Sequence, residues 1–196
     1  MDDSIEELEL VFATHNENKF IEVAAQLPNH IKLLSLDDIG CVEDIPETGD
    51  TIEENAILKA DYVKEHYKKD CFADDTGLEV VALEGAPGVY SKRYAGDDAT
   101  ADDNMNKLIQ SLEHITKRNA TFKTVIALAI GGEKTLFVGE VNGSITHKRH
   151  GEKGFGYDPI FKPDGFEETF AQMSLTQKSE IGHRGRAMRQ LIDYLK

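Results

Sequence analysis

Apolar positions along the chain alternate between short unbroken runs and helical spacings. Leu8–Ala13 is a compact, mostly apolar run, the pattern of a buried strand, and it gives way to the polar Thr14-His15-Asn16-Glu17-Asn18-Lys19. Phe20, Val23, Ala24 and Leu27 then recur on one face of a helix. Ile31–Leu36 reads as a second strand, followed by an acidic loop over Asp37–Asp50. Thr51-Ile52-Glu53-Glu54 has the Thr-x-x-Glu form of a capping box, opening a helix with Ala56, Ala60, Val63 and Tyr67 inward. Asn55 and Lys59 lie four apart on another side of that helix, facing either a site or solvent. Cys71-Phe72-Ala73 reads as the end of a buried strand, and Leu78–Leu83 resumes an apolar, β-branched run. Gly85-Ala86-Pro87-Gly88 makes a turn, and Thr100-Ala101-Asp102-Asp103 caps a helix carrying Met105, Leu108, Ile109 and Leu112. Ala120–Ile130 and Thr135–Ile145 flank Gly131-Gly132-Glu133-Lys134, so they pair as a long hairpin. A last helix presents Met188, Leu191, Ile192 and Leu195. Strands mixed with helices, without repeat, low-complexity tract or linker, predict one α/β domain over residues 1–196.

Charge narrows the function. The formal net charge is −14 over 196 residues, and residues 1–143 carry −16 of it against +2 for residues 144–196. An acidic body argues against non-specific binding to nucleic acid or an anionic membrane. A small polyanion is still compatible, given a local cluster of Lys and Arg or a metal ion, and the C-terminal quarter is where such a cluster belongs. Cys41 and Cys71 have neither metal-site spacing nor the look of a disulfide framework. Met1–Glu7 is an acidic extension where a signal peptide would be basic and then apolar, and no apolar run reaches the roughly 18–20 residues a membrane span needs. The expectation is a cytoplasmic protein.

Four stretches carry candidate chemistry. Phe72-Ala73-Asp74-Asp75-Thr76-Gly77 sets paired carboxylates at a strand end, where open α/β sheets bind ligands. Such a pair can hold a divalent cation through oxygen or take a proton from water; Asp, Thr and Gly are equally ordinary turn residues. The turn Thr14–Lys19 leads into a helix N-terminus, whose free N–H groups suit an anion, with Lys19 one turn in; a plain N-cap by Asn16 or Thr14 is the alternative. It is not a P-loop, because no Gly-x-x-x-x-Gly-Lys-[Ser/Thr] occurs. Gly154-Phe155-Gly156-Tyr157-Asp158-Pro159 joins glycines to aromatics that either stack on a planar ligand or plug the core. Lys178 and His183-Arg184-Gly185-Arg186 bracket the start of the last helix, where positive charge opposes the dipole unless an anion is the partner.

Taken in order, these stretches resemble the inosine triphosphate pyrophosphatase family over residues 9–196. The resemblance rests on Thr14–Lys19, Glu47-Thr48-Gly49 with Glu54–Ala60, Ala73–Leu78, Gly85–Ser91, Gly154–Pro159, and Lys178 through His183-Arg184. It implies an elongated α/β domain around a long mixed central sheet flanked by helices, usually a homodimer. It implies hydrolysis of ITP, dITP and XTP to monophosphate and pyrophosphate with Mg2+. Residue by residue, it implies that the turn Thr14-His15-Asn16-Glu17-Asn18-Lys19 grips the triphosphate, chiefly through Thr14, Asn16 and Lys19. Glu47 and Asp75 hold the metal, Asp75 is also general base, and Thr76 touches substrate. Phe155 stacks on the purine, the backbone of Gly156 and Tyr157 shapes the pocket, and Asp158 sits near the base edge. Lys178, His183 and Arg184 close over base and phosphates. The family usually has Gly where this chain has His15, and Ser where it has Gly182. A nucleotide-binding regulator without hydrolysis and a phosphoryl transferase with the same triphosphate grip are the rival readings.

Overall fold

A computed structural model describes residues 7–196, so the acidic extension falls almost wholly outside the described residues. The strands are β1 (Leu8–Phe12), β2 (Ile31–Leu34), β3 (Cys71–Val80), β4 (Pro87–Gly88), β5 (Asn119–Ile130), β6 (Glu133–Ile145) and β7 (Phe161–Pro163). The helices are α1 (Glu17–Ala24), α2 (Ile52–Tyr67), α3 (Ala101–Ser111), α4 (Leu175–Ile181) and α5 (His183–Tyr194). The strands form one mixed sheet in the order β2-β1-β3-β5-β6-β7, with β4 added to β3. β1 runs parallel to β2 and β3, whereas β4 on β3 and β7 on β6 are antiparallel. The chain is therefore α/β with a mixed seven-stranded sheet, as its alternating pattern predicts.

Residues group into two compact units. One takes the chain up to Asp75, Val125–Phe137 and Ala187–Lys196; the other takes Thr76–Thr124 and Val138–Arg186. In the first, successive residues of β1 point to opposite faces of the sheet. Leu10 and Phe12 join Phe72, Ile126, Val23 of α1 and Met188 and Leu191 of α5. Val11 and Ala13 join Cys71, Ala73 and the Ala56, Ala60 and Val63 face of α2. Burial on both faces from Leu10 onward explains why Leu10 to Ala13 reads as a continuous apolar run rather than an alternating one. Phe12 and Phe72 stack with ring centroids 4.7 Å apart at the heart of one face; truncating either to Ala would cost about 3–5 kcal/mol. In the second unit, Leu78 and Val80 pack with Met105 and Leu108 of α3, with Leu112 just after it, and with Phe122, Tyr157, Phe161 and Phe170. Cys41 and Cys71 are free thiols, both buried.

Several boundaries differ from the sequence reading. β3 does not end at Ala73 but runs through Asp74 and Asp75 to Val80, after which Val81–Leu83 is a 3₁₀ turn. The polar pair hides a strand that is buried on both sides of it. β2 stops at Leu34. α1 stops at Ala24, which is exposed, and leaves Leu27 outside it, because Pro28 disfavours helical backbone at the preceding residue. The β5–β6 connection is two residues, Gly131-Gly132, with Gly131 at φ 57°, a value glycine adopts without strain. The capping box of Thr51 with Glu54 forms as read, and the cap read at Thr100 proves to be a second box, with Asp103.

Candidate active site

Chain geometry alone separates the two aspartates. β1 ends at Phe12, opposite Phe72, and the Ala13 N–H donates to the Phe72 carbonyl at 2.9 Å. β3 runs on past that point, so Asp74 and Asp75, being consecutive in a strand, project to opposite faces. The Asp74 Oδ1 accepts from Lys19 Nζ of α1 at 2.9 Å. Asp75 Oδ1 lies 3.9 Å from Lys59 Nζ of α2, which also donates to Glu47 Oε1 at 2.5 Å. Asp74 is 1% exposed and Asp75 8%.

Lys59 is absent from the sequence-predicted set, yet it stands at the centre of this group. Its signal was present: the spacing of Asn55 and Lys59 on one side of α2, with the choice between site and solvent left open. Both are buried. The Asn55 Oδ1 accepts from the Gly49 N–H at 2.8 Å, and a Cβ on Gly49 would lie 2.6 Å from Glu54 Cβ. The loop carrying Glu47 is thereby pressed against the start of α2, a contact only glycine permits.

Three carboxylates share two ammonium groups here, and the balance shows in their affinities for protons. Burial raises the Asp75 pKa above the usual aspartate range; Glu47 and Asp74 add to the rise, while Lys59 and Lys19 oppose it. Burial alone would push Lys59 down, but Asp75, Glu47 and Asp74 outweigh it and raise its pKa instead. Lys59 is thus held charged between two carboxylates. The same arrangement tests whether a divalent cation suits these residues. One cation, the Lys59 ammonium, already sits within reach of both Glu47 and Asp75, and their oxygen donors are the kind Mg2+ prefers. Among the described residues no three His, Cys, Asp or Glu side chains form a ready-made metal cluster.

The turn before α1 is a capped helix start. Thr14 Oγ1 accepts from the Asn16 N–H at 3.1 Å, and Asn16 Oδ1 accepts from the Lys19 N–H at 3.2 Å. Glu17 and Asn18 are exposed in the first turn of α1. The His15 ring reaches away from the helix and bonds the Glu43 carbonyl through Nε2 at 2.9 Å.

The second unit gathers the remaining candidates. Gly154 has φ 73°, and a Cβ there would overlap the Asp158 carboxylate. Asp158 Oδ2 accepts from the Phe155 N–H at 2.9 Å and from Lys178 Nζ at 2.7 Å, and Asp158 is 2% exposed. It holds the loop closed and fixes Lys178. The Lys178 Nζ lies 4.7 Å and the Arg184 Cζ 5.6 Å from the centroid of the half-buried Phe155 ring, within cation–π range. Gly156 follows at φ 61°, while Tyr157 turns into the core and donates its hydroxyl to the Ser91 carbonyl at 2.6 Å. Of the two aromatics in this motif, then, Tyr157 is a core plug and Phe155 is not.

α5 begins at His183, so His183 and Arg184 belong to its first turn, and both are buried. The His183 ring stacks on Phe122 at 4.5 Å. Arg184 Nη2 donates to Thr76 Oγ1 at 3.0 Å, and Thr76 shares a 2.7 Å hydrogen bond with Thr124 Oγ1. Thr124, on β5, is a participant that no sequence motif marks. At Gly182 a Cβ would lie 2.5 Å from the Lys178 carbonyl, and at Gly185 it would overlap the Ser179 carbonyl, so α4 and α5 meet too closely for larger residues.

Similarity to known proteins extends over nearly the full chain. Residues 10–194 match the Ham1 family. The dITP/XTP pyrophosphatase of Christiangramia forsetii is 60% identical over 188 residues, covering 96% of this chain and 99% of that protein. The dITP/XTP pyrophosphatase of Porphyromonas gingivalis is 48% identical, covering 95% and 96%. Among solved structures, the Staphylococcus aureus Ham1 protein superposes with a TM-score of 0.86 at 40% identity, covering 95% of this chain and 97% of that one.

Proposed function

This chain belongs to the Ham1 family, and on that premise we propose that it hydrolyses deaminated purine nucleoside triphosphates (dITP, ITP and XTP) to the monophosphate and pyrophosphate, with Mg2+ as the divalent cation. The observation that carries the reading is the sharing of the Lys59 ammonium between Glu47 and Asp75. Two carboxylates that accommodate one cation suit a metal that takes its other ligands from water and substrate phosphates. Bound there, Mg2+ would neutralise charge developing on the phosphate oxygens.

Water attacks the α-phosphorus, its proton passes to the Asp75 carboxylate, and the bond from that phosphorus to the bridging oxygen breaks as pyrophosphate leaves. General base catalysis of this kind contributes about 10²–10⁴-fold. Lys19 and the N–H groups at the start of α1 balance triphosphate charge, with Thr14 and Asn16 shaping the turn. His15, Glu17 and Asn18 line its outer side. Phe155 stacks on the purine, Gly156 and the Tyr157 backbone give it room, and Lys178, held by Asp158, lies beside the ring. Hypoxanthine and xanthine carry a 6-oxo acceptor where adenine has an amino donor. A donor at that position leaves adenine's amino group unpaired, a strong basis for rejection. His183, Arg184 and Thr76 complete the substrate-facing set. No described helix is long and apolar enough to cross a membrane, and we read the protein as a cytoplasmic homodimer acting on a free nucleotide rather than nucleic acid.

Product identification tests the reading. Inosine and xanthosine triphosphates with Mg2+ should give monophosphate plus pyrophosphate, with little turnover of adenosine or guanosine triphosphate. Diphosphate plus orthophosphate would move the attack to another phosphorus and remove Asp75 from its role. Tight nucleotide binding without turnover would make the protein a regulator.

A further inference from the structure

The acidic loop between β2 and α2 is fastened at Glu43 as well as beside Glu47. Glu43 Oε1 accepts from the Tyr62 hydroxyl at 2.7 Å and from the Tyr67 hydroxyl at 2.7 Å, both tyrosines lying in the second half of α2. Its other carboxylate oxygen, Oε2, accepts from the Val42 N–H at 3.1 Å, and its backbone carbonyl accepts from His15 Nε2 at 2.9 Å. One residue thus ties three segments: the turn that begins α1, the loop, and the body of α2. Four residues on, Glu47 meets Lys59 of the same helix, and beyond it Gly49 is fixed by Asn55. The span from Glu43 to Gly49 is therefore stitched to α2 at three points, with Glu47 in the middle one. The loop has no strand or helix of its own after the 3₁₀ turn at Asp37–Ile39. These side-chain bonds order it together with Cys41 and Ile45, which pack against the apolar core of that unit. A carboxylate presented from an untethered loop would sample many positions, and a site held to within about 0.5 Å needs its supporting residues fixed.

We propose that Glu43 is a positioning residue for the metal-holding carboxylate, a tether through Tyr62, Tyr67 and His15 that presents Glu47. This rests on the reading of Glu47 as a cation ligand. The part Glu43 plays is that of a hydrogen-bond acceptor. The tyrosine hydroxyls, Tyr62 first, hold its carboxyl down to about 2, so it accepts unchanged across the working pH range. The tether itself is the pair of hydroxyl bonds on Oε1, and an amide oxygen offers the same two hydroxyls an acceptor.

The test is Mn2+ alone, titrated into the nucleotide-free full chain and followed by the EPR signal of the free ion. Glu43→Ala should weaken Mn2+ binding roughly tenfold, the low end of what supporting residues around metal ligands contribute. Glu43→Gln, which removes the same charge but keeps the acceptor, should stay within about twofold of the native protein. The Tyr62→Phe/Tyr67→Phe double variant keeps both rings and their packing and should match Glu43→Ala; adding Glu43→Ala to it should cost little more. Glu47→Gln is the control. If it weakens binding while Glu43→Ala does not, the tether is wrong and the ligand reading stands. Equal weakening by Glu43→Gln and Glu43→Ala would reduce the effect to charge and also overturn the tether. If Glu47→Gln itself changes nothing, both the ligand assignment and the tether fall.

Discussion

Asp74 and Asp75 are neighbours in sequence, yet one faces α1 and the other α2, and their electrostatic surroundings differ accordingly. Asp74 has an ammonium at hydrogen-bond distance, whereas Asp75 shares the more distant Lys59 with Glu47. Asp75→Asn keeps the side-chain shape but cannot take a proton, so initial-rate assays should show turnover falling by about 10²–10⁴-fold. Lys59→Met should act differently. It leaves Glu47 and Asp75 near one another without the cation between them, and like charges at such a site oppose ionisation. In the absence of divalent cation this variant should melt lower than the native protein, and Mg2+ should recover more of its thermal stability than it adds to the native chain. A melting series in chelator and in Mg2+ measures both. Equal responses in the two proteins would mean Lys59 does not stand where the cation binds.

Among the elements, what could be read from the sequence depended on whether a residue's role was local. The capping box at Thr51 and the helix cap at Thr100 pair residues three apart and were legible. β1 was legible because both its faces are buried from Leu10 onward. β3 was cut at Ala73, since Asp74 and Asp75 interrupt the apolar pattern. Their burial depends on Lys19 and Lys59, 55 and 16 residues away in sequence. Glu43's bonds to Tyr62, Tyr67 and His15 likewise span separations that no local pattern encodes. The Gly154–Pro159 motif left stacking and core-plugging open for its two aromatics; the structure divides them, sending Tyr157 inward and leaving Phe155 half-buried under two cations. The glycine count of that loop was visible, but the reason for Gly154 was not. At φ 73° against the Asp158 carboxylate, Gly154→Ala combines backbone strain with overlap. Strained positions of this kind cost about 1–3 kcal/mol. Chemical denaturation should show that loss, and because Asp158 anchors Lys178, KM for inosine triphosphate should rise more than kcat falls.

At the scale of the whole molecule, the charge imbalance of the cluster becomes a property of folding. Asp75 has a raised pKa in the folded protein, so at neutral pH its ionised form is a cost to the native state rather than a support. As pH falls from neutral through that raised value, the folded state binds the proton before the unfolded chain does, and the cost is relieved. The relief is complete once pH reaches the ordinary aspartate range near about 4. Two consequences follow for thermal unfolding without divalent cation. Asp75→Asn, which cannot ionise, should melt higher than the native protein at pH 7, and the gap should close as pH is lowered through the Asp75 titration. A bound cation should reverse the ranking. It favours the ionised carboxylate and binds only the folded chain, so at a concentration about 100 times its dissociation constant it would add roughly 2.7 kcal/mol. For a chain of this size that is a rise in Tm of roughly 5–11 °C, at about 2–4 °C per kcal/mol. The native protein should show that rise with Mg2+, and Asp75→Asn should show little of it. A variant that is more stable empty and less stable loaded identifies Asp75 as a residue kept for the cation. If Asp75→Asn melted lower than the native protein in chelator, its carboxylate would instead be a net support of the fold, and the raised affinity for protons assigned to it would be wrong.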